Sequence, residues 1–354
     1  MTNDRSGVHH SRLPWDSGRF GAVYDYSSIG EFIVQRSLKD GVHRIQIPQS
    51  PKLEIYTRGL DGVRHMTGRF CSTLHDCGHG SHNYLPCTFN AATPIRDGLK
   101  GPFFSGLHSQ INPYAPMVAV ADPLLGHDPN LRIGWYTGLP NTGTQNIIAR
   151  VLAHISSLTR KPLLCIGGSA GGFAAILYTA MLNDPESSGS RYALNSTAFV
   201  WNPQTSITDY FRSQAYLDAV FPQSHDSIGS SPRDLLTQSG IIHDLRSIPV
   251  PKRMLYIQNE SDWHHLEHHA HPYIQAHGFH EQSHGFFLRT PTQVVAVADY
   301  AGGHVPLPGY KTAALIALLK NGIIPSERAL KLLLGSRRTR GRVRVGNFGS
   351  SDED

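Results

Sequence analysis

Short runs of alternating hydrophobic and polar residues occupy the first part of the chain. An alternation with a period of two, rich in β-branched residues, predicts strands with one buried face. Asp-Gly pairs at residues 40–41 and 61–62 separate the runs and predict tight hairpin turns. We therefore expect a loose, polar N-terminus over residues 1–18 and an antiparallel β-rich layer over residues 19–80, packed on the core. The alternating runs are residues 30–38, 43–49 and 52–60.

Further along the chain, short apolar runs alternate with longer runs that have helical spacing. In residues 144–158, apolar side chains recur every three or four positions, as on one face of a helix. This alternation is typical of an α/β fold with a mainly parallel sheet and helices on both faces. The other predicted elements are strands at residues 84–90, 117–121, 163–167, 197–201, 253–258 and 293–298, and helices at residues 172–182 and 312–320.

Changes of composition mark the expected domain boundaries. Residues 81–335 carry the α/β pattern, and within them residues 203–250 mix polar and helical pieces, which predicts a cap over the strand ends. Residues 336–354 are poor in hydrophobic side chains and run from basic to acidic, so we expect a disordered tail there.

The composition is that of a globular protein. Of the 354 residues, 40% are hydrophobic and 17% are charged, which excludes a disordered chain, a coiled coil and a collagen-like fibre. The net charge of +5 falls to +3 without residues 336–354, because that segment holds five arginines and three acidic residues. A body so close to neutral lacks the field that nucleic-acid binding needs, so we expect no nucleic-acid partner.

The hydrophobic segments and the number of cysteines indicate in which cellular compartment the protein is expected. No apolar run reaches the roughly 18 residues of a membrane span, so we expect no stable membrane insertion. The first residues lack the apolar segment of a secretory signal, and four cysteines are too few for a disulfide scaffold. We therefore expect a cytoplasmic protein, and its oligomeric state stays open.

The sharpest motif is a glycine-rich turn around Ser169. Gly167, Ser169 and Gly171 form the pattern G-x-S-x-G directly after an apolar strand and directly before a predicted helix. Such a turn strains the central residue, needs small residues two positions to either side, and exposes the serine oxygen above the sheet. We predict that Ser169 is a nucleophile. The alternative is a glycine-rich turn whose serine caps a helix.

Two loops further along the chain carry the base and the acid that a nucleophilic serine needs. Asp262 lies in the loop after one predicted strand, and His304 lies in a glycine-rich loop after the last predicted strand. The order serine, acid, histidine is the one that such sheets use. We therefore predict a catalytic triad of Ser169, Asp262 and His304, with Glu260 and Asp299 as alternative acids.

The negative oxygen of a tetrahedral intermediate needs preorganised hydrogen-bond donors. We expect one donor to be the backbone N–H of Ala170, just after the nucleophile. The other is expected to be the N–H of Ala91 or Ala92, after the strand at residues 84–90, where small side chains let a substrate approach the backbone. The rival segments are residues 79–80 and 105–107.

Together these motifs resemble the α/β-hydrolase superfamily over roughly residues 80–325. The runs at residues 119–126, 133–138, 167–175 and 201–205 are similar to a bacterial group associated with surface glycans, accessory secretion and polysaccharide modification. The resemblance implies acyl-ester hydrolysis or transfer on a carbohydrate, without a cofactor. The chain departs from the pattern because it lacks a plain HGGG oxyanion loop.

Several side chains are candidates for the substrate pocket. Phe104 and Gly106 belong to a segment expected to form a pocket wall. Trp135, Tyr136 and Trp201 offer aromatic faces that can stack on a sugar ring, with core packing as the alternative for each. The expected partner is a small-molecule or glycan acyl ester.

The chain has 21 histidines against 27 acidic residues, which raises the question of a metal. His264 and His268 have i, i+4 spacing, as do His265 and His269, and such pairs can hold a metal on one helix. The order does not match the HExxH pattern of metalloproteases, so we expect a solvated helix face instead. The cysteines and histidines of residues 71–87 match no zinc framework, and we predict no metal site.

Three classes of function are compatible with these motifs. The first is a serine esterase or acyltransferase that works through an acyl-enzyme. The second is a non-catalytic binding or assembly protein on a hydrolase scaffold, in glycan synthesis or export. The third is a metal-dependent hydrolase built on the histidine run. The distance between His304 and Ser169 bears most directly on the choice between the first two.

Overall fold

The computed structural model describes residues 20–60, 84–93, 101–105, 115–222 and 231–335. The predicted terminal tails, the second Asp-Gly pair and all of the cysteine- and histidine-rich segment except its last four residues lie outside the described residues. None of the described helices has both the length and the hydropathy to span a bilayer.

Eleven strands in the described part of the protein join into one sheet. They are β1 (Ala22–Tyr26), β2 (Gly41–Ile45), β3 (Leu53–Arg58), β4 (Leu85–Phe89), β5 (Met117–Val120), β6 (Leu163–Gly168), β7 (Thr197–Trp201), β8 (Met254–Asn259), β9 (His280–Ser283), β10 (Phe286–Thr290) and β11 (Gln293–Ala298). Their spatial order is β1-β2-β3-β5-β4-β6-β7-β8-β11-β10-β9.

The centre of the sheet is parallel, and antiparallel strands flank it. Strands β5, β4, β6, β7, β8 and β11 are parallel neighbours, whereas β3 joins β5 and β10 joins β11 in antiparallel pairs. Cys87 on β4 faces Cys165 on β6, and both are buried free thiols. All six strands predicted after residue 81 are present, so the predicted α/β fold with a mainly parallel sheet is confirmed.

The N-terminal strands differ from the expected hairpins. β1 pairs with β2 in parallel, with Val23 opposite Val42, and a short helix between the two strands returns the chain to the same end of the sheet. The strand predicted over residues 30–38 is wrong, because residues 29–33 form this helix, whose Phe32 is fully buried. Gly41 starts a strand instead of closing a hairpin. β2 and β3 are antiparallel, as predicted, and all three strands extend the central sheet.

Helices cover both faces of the sheet. Along β6, Leu163 and Cys165 belong to one hydrophobic cluster, and Leu164 and Ile166 belong to the other. The first cluster includes side chains of the helices Thr144–Thr159 and Ser169–Asn183, and the second includes side chains of the helices Gly309–Lys320 and Glu327–Leu334. The helices are α1 (Ile29–Ile33), α2 (Leu124–His127), α3 (Thr144–Thr159), α4 (Ser169–Asn183), α5 (Pro185–Ser188), α6 (Gln214–Val220), α7 (Pro232–Gln238), α8 (Trp263–His265), a π-helical turn (Leu266–Ala270), α9 (His271–Ala276), α10 (Gly309–Lys320) and α11 (Glu327–Leu334).

The parallel strands bring the candidate residues to one edge of the sheet. Ser169 follows β6 directly, Asp262 comes three residues after β8, and His304 comes six residues after β11. The carboxyl ends of parallel strands point to the same edge, where ligands bind in open α/β sheets. The fold therefore places the three residues of the predicted triad together.

Candidate active site

Ser169 occupies the turn between β6 and α4. Its φ angle is +52°, a left-handed value that is strained for serine. A side chain at Gly167 would overlap the carbonyl group of Gly171, and one at Gly171 would lie 2.5 Å from the carbonyl oxygen of Phe89. The turn therefore needs glycine at both positions, as the sequence predicts. Ser169 is 8% exposed and lines a cleft above the sheet.

Replacing Gly167 tests this steric account. Gly167→Ala is expected to lower the free energy of unfolding by about 1–3 kcal/mol, because the added methyl group meets the backbone of α4. Gly126→Ala is the matched control, since a Cβ there meets nothing within 4 Å. The control should stabilise the protein by about 0.4–1 kcal/mol through the entropy of the unfolded chain. Urea unfolding measures both, and changes of the same sign would contradict the account.

Asp262 is the carboxylate that contacts His304. Its Oδ2 atom lies 2.6 Å from His304 Nδ1, and its side chain is 4% exposed. Among the described residues, neither Glu260 nor Asp299 hydrogen-bonds to His304, and Glu260 is exposed. Burial favours the protonated form of Asp262, but hydrogen bonds to His265 and His304 outweigh burial and lower its pKa. The ionised carboxylate therefore accepts the Nδ1–H of His304, as an orienting acid does.

Hydrogen bonds join the acid loop to the histidine loop. The Asn259 side-chain amide donates to the carbonyl oxygens of Ala301 and Gly303, each at 2.7 Å. The Ser261 hydroxyl donates to the Ala301 carbonyl at 2.6 Å and accepts the Gly303 N–H at 3.1 Å. These bonds fix the loop that carries His304. Neither Asn259 nor Ser261 stands out in the sequence, although each is a polar side chain at the end of a buried strand.

His265 shares the carboxylate of Asp262 with His304. Its Nδ1 atom lies 3.0 Å from Asp262 Oδ1, and its ring stacks on the His304 ring with 4.0 Å between ring centres and 8° between planes. His265 is 2% exposed, and burial lowers its pKa. The neutral ring therefore donates Nδ1–H to the carboxylate. His265 is a positioning residue that holds Asp262 and supports one face of His304.

The histidine run is only partly a solvated helix face. His268 is exposed, as expected, but His265 and His269 are 2% and 0% exposed, so the prediction is wrong for these two. His265 and His269 are four residues apart and share one face of the helix, and that face packs inward against Asp262 and Thr205. The spacing predicts which histidines share a face, but contacts with distant residues decide that this face is buried.

Asp262, His265 and His304 also meet the spacing of a metal site, since one ligand atom from each lies within 4.8 Å of the others. Zinc lies about 2.0–2.1 Å from a histidine nitrogen and close to the plane of the ring that binds it. The two imidazole rings here are stacked, so no single point lies in both planes at that distance. The arrangement suits two N–H donors on one carboxylate, and it would have to open before a metal could bind.

Acid is expected to destabilise the protein through its buried histidines. His269 is fully buried, accepts the backbone N–H of Thr205 at Nδ1, 3.2 Å away, and has its pKa lowered by burial to about 2. Below about pH 6.5 the unfolded chain therefore takes up a proton that the folded protein does not. For this residue the free energy of unfolding should fall by about 1.4 kcal/mol per pH unit.

Urea unfolding at several pH values between about 6.5 and 4.5 tests this expectation. His269→Asn keeps a hydrogen-bond acceptor near Thr205 but cannot titrate, so its stability should fall less steeply with acid than that of the wild type. His271→Asn is the control, because His271 is exposed. Identical slopes for the wild type and both variants would contradict the role given to His269.

A cleft of about 380 Å³ opens above Ser169 and His304. Ala91, Ala92 and Trp201 line it, and Ala170 follows the serine in the first turn of α4, where backbone N–H groups have no partner within the helix. The predicted donors thus lie beside the serine, and their role in holding an oxyanion stays a prediction. Trp201 lies where the sequence expects a pocket residue.

The serine and the histidine line the same cleft without a hydrogen bond between them. In the part of the chain that the structure describes, the Ser169 hydroxyl makes no hydrogen bond, and the His304 imidazole makes one, to Asp262. Because Nδ1 of His304 is held by the acid, Nε2 is the ring nitrogen left for the serine. Catalytic hydrogen bonds of this kind are often long before substrate binds.

Trp135 and Tyr136 are core residues, so their prediction as pocket residues is wrong. Both are fully buried, and Trp135 donates its indole N–H to Gln204 Oε1 at 2.7 Å. The Tyr136 hydroxyl accepts the backbone N–H of Asn90. Tyr136 therefore holds the loop that carries Ala91 from the core side. Its buried ring cannot contact a ligand.

Phe104 also packs away from the cleft. Its ring centre lies 5.3 Å from that of Phe20 and 6.0 Å from that of Tyr56. The next residue, Ser105, lines the cleft instead and donates its hydroxyl to the Phe89 carbonyl at 3.1 Å. Neighbouring side chains of an extended segment point to opposite sides, which explains why Ser105 and not Phe104 lines the cleft. Gly106 lies outside the described residues.

Comparison with known proteins gives similarity at the level of fold. No protein-family model matches the chain, and no curated protein matches its sequence. Among solved structures, a capsule O-acetyltransferase of Neisseria meningitidis serogroup A is 15% identical, with a TM-score of 0.42, over 67% of this chain and 82% of that chain. A putative carboxylesterase from Lactobacillus plantarum is 12% identical, with a TM-score of 0.37, over 80% of this chain and 98% of that chain.

A lipase/esterase from Lactobacillus plantarum is 13% identical, with a TM-score of 0.39, over 81% of this chain and 100% of that chain.

The class of fold follows from the protein's own architecture. A mainly parallel sheet carries a strained serine on a strand-to-helix turn, and the acid and the histidine follow in that order after later strands. This is the fold of the α/β hydrolases.

Proposed function

We propose that the protein is a serine esterase or acyltransferase that works through an acyl-enzyme, with a small-molecule or glycan ester as substrate. The observation that carries the proposal is the pairing of a buried, ionised Asp262 with His304 at the cleft that contains the strained Ser169. A serine becomes a nucleophile at neutral pH when a base so oriented can take its proton.

In the first step, the Ser169 oxygen attacks the acyl carbonyl carbon while His304 Nε2 takes the hydroxyl proton. The backbone N–H groups of Ala170 and of Ala91 or Ala92 hold the negative oxygen of the tetrahedral intermediate. When the intermediate collapses, the carbon–oxygen bond to the alcohol breaks, and His304 returns the proton to the departing oxygen. The acyl group stays on Ser169, and Asp262 stabilises the charged imidazole in between.

In the second step, His304 takes a proton from water or from a second alcohol, whose oxygen attacks the acyl carbon. The bond to Ser169 breaks, and the serine oxygen recovers its proton. Water as the attacking group gives hydrolysis, and a carbohydrate hydroxyl gives transfer. The identity of the acceptor is therefore part of the test.

One observation favours a second candidate, a binding or assembly protein that keeps the scaffold without the reaction. Within the described residues the Ser169 hydroxyl is not hydrogen-bonded to His304. Acylation of Ser169 separates the two candidates, because a binding protein has no use for a nucleophilic serine.

The experiment is to mix the protein with 4-nitrophenyl acetate and quench it with acid within the first turnover. Mass spectrometry should then find one acetyl group on Ser169, together with a burst of nitrophenol. Repeating the reaction with a carbohydrate acceptor and analysing the products distinguishes transfer from hydrolysis. Folded protein that binds the ester but is never acetylated would support the binding protein instead.

A further inference from the structure

A second, wider cavity of about 710 Å³ begins at Ser169 and His304 and extends away from the first cleft. Its size is within the range of small-molecule sites. Two aromatic side chains on its wall are unusually exposed, Phe211 at 65% and Trp263 at 68%. Phe211 comes from the segment predicted to form a cap, and Trp263 follows the catalytic acid.

The aromatic residues form a connected group along the cavity. The ring of His264 lies between them, with its centre 5.0 Å from that of Phe211 and 5.6 Å from that of Trp263. The Tyr210 ring packs at a tilt against that of Phe211, with 4.8 Å between ring centres. Large exposed apolar side chains are costly in water and mark binding surfaces when they cluster beside a cleft. The group therefore offers exposed aromatic surface to the apolar side of a ring-shaped ligand.

Two arginines give the same cavity a positive charge. Arg132 uses its Nε to donate to the Thr93 carbonyl at 2.9 Å, which leaves its terminal nitrogens for a ligand. Arg212 lies over the Phe211 ring, 5.2 Å from its centre. Neither arginine makes a salt bridge to a carboxylate in the part of the chain that the structure describes.

The negative charge on the cavity wall is already paired with histidines. Asp262 is the one carboxylate among the described lining residues, and two imidazoles hydrogen-bond to it. Arg132 and Arg212 both line this cavity, so two guanidinium groups border the same space. The cavity is thus short of anions, and guanidinium groups bind carboxylate and phosphate with paired hydrogen bonds.

The position of His304 indicates which part of an ester this cavity takes. His304 returns a proton to the departing alcohol oxygen, so the alcohol must lie on the side of the imidazole. His304 lines both spaces, but Asp262 and His265 line only the wide cavity, whereas Ala91, Gly167 and Trp201 line only the narrow cleft. The candidate donor Ala91 therefore puts the acyl carbonyl on the side of the narrow cleft. The acyl group thus belongs in the narrow cleft and the alcohol in the wide cavity.

We propose that the wide cavity is a subsite for an alcohol that carries a negative charge, a carboxylate or a phosphate, beside a ring, and that Arg132 and Arg212 select it. The proposal rests on the proposed function for the side of the ester on which it places the ligand. Its test separates binding of the alcohol from acylation of the serine.

The probes are two acetate esters that differ in one charge, 4-acetoxybenzoate and its methyl ester. Binding to the Ser169→Ala variant of the full chain is measured by calorimetry at low salt and again at about 0.5 M NaCl. We expect the charged ester to bind about tenfold more tightly at low salt, and we expect high salt to reduce that preference because the arginines are exposed. Equal dissociation constants for the two esters would overturn the proposal.

Variants locate the charge preference. Arg132→Gln and Arg212→Gln, each added to Ser169→Ala, should weaken binding of the charged ester about threefold to tenfold and leave the neutral ester within about twofold. Arg150→Gln is the matched control, because Arg150 is an exposed arginine on α3 outside the cavity. Trp263→Ala should weaken both esters alike. If the charged ester still bound more tightly than the neutral ester after both cavity arginines were replaced, the proposal would be overturned.

The outcome for the proposed function is read separately, from acetylation of Ser169 in the wild type. If Ser169 is acetylated but the charged and neutral esters bind equally well, the proposed subsite is wrong and the proposed enzymatic function stands. If the charged ester binds more tightly because of the two arginines but Ser169 is never acetylated, the subsite is supported and the proposed acyl-enzyme reaction is wrong.

Discussion

Ser169→Ala is expected to lower kcat on 4-nitrophenyl acetate by about 10⁴- to 10⁶-fold, because it removes the oxygen that would carry the acyl group. Ser169 is the residue whose backbone is strained at φ +52° to put its hydroxyl at the cleft. The residual rate should come only from binding and oxyanion stabilisation, which survive loss of the nucleophile. Steady-state kinetics of the two proteins measure the ratio.

The control for this variant is Ser326→Ala. Ser326 caps α11 and accepts the backbone N–H of Ala329, far from the cleft in the chain and absent from its lining. Its activity should stay within about twofold of the wild type while its stability falls by about 1 kcal/mol. If Ser169→Ala kept more than about 1% of the wild-type kcat, the nucleophile would have to be sought elsewhere.

Asp262→Asn is expected to lower kcat by about 10⁴-fold while the protein stays folded. The carboxylate accepts Nδ1–H from both His304 and His265. An asparagine side chain offers one acceptor and one donor, so it can match only one of the two histidines. If it keeps its acceptor for the buried His265, His304 must accept at Nδ1 and carry its proton on Nε2, where it cannot act as a base.

Glu260→Gln is the control, since Glu260 is an exposed carboxylate two residues from Asp262. Its kcat should stay within about twofold of the wild type. Nitrogen NMR of the imidazoles in both variants reads the tautomer of His304 directly. A loss of activity in Glu260→Gln as large as in Asp262→Asn would contradict the assignment of the acid.

Local steric rules made the geometry of the candidate site predictable. The G-x-S-x-G turn depends on residues within two positions of Ser169, so its strain can be anticipated from a short stretch of sequence. The positions of Asp262 and His304 follow from counting apolar strands, because each residue lies just beyond the end of one. These features required no knowledge of how distant segments pack.

The features that the sequence did not reveal all depend on distant contacts. The stacking of His265 on His304 joins α8 to a loop, with 38 residues between the two histidines in the chain, and no local pattern marks it. The parallel pairing of β1 and β2 depends on where Phe32 is buried, not on the Asp-Gly pair. Trp135 and Tyr136 look like ligand-binding aromatics in sequence and are core residues because of what packs over them.

The most direct measurement of the central claim is labelling with a fluorophosphonate, which reacts with a serine activated as a nucleophile. The account predicts one label per chain on folded wild-type protein, mapped by peptide mass spectrometry to Ser169. The label should be lost in Ser169→Ala and strongly slowed in Asp262→Asn. Folded wild-type protein that stays unlabelled, or a label on a different serine, would contradict the claim that Ser169 is the catalytic nucleophile.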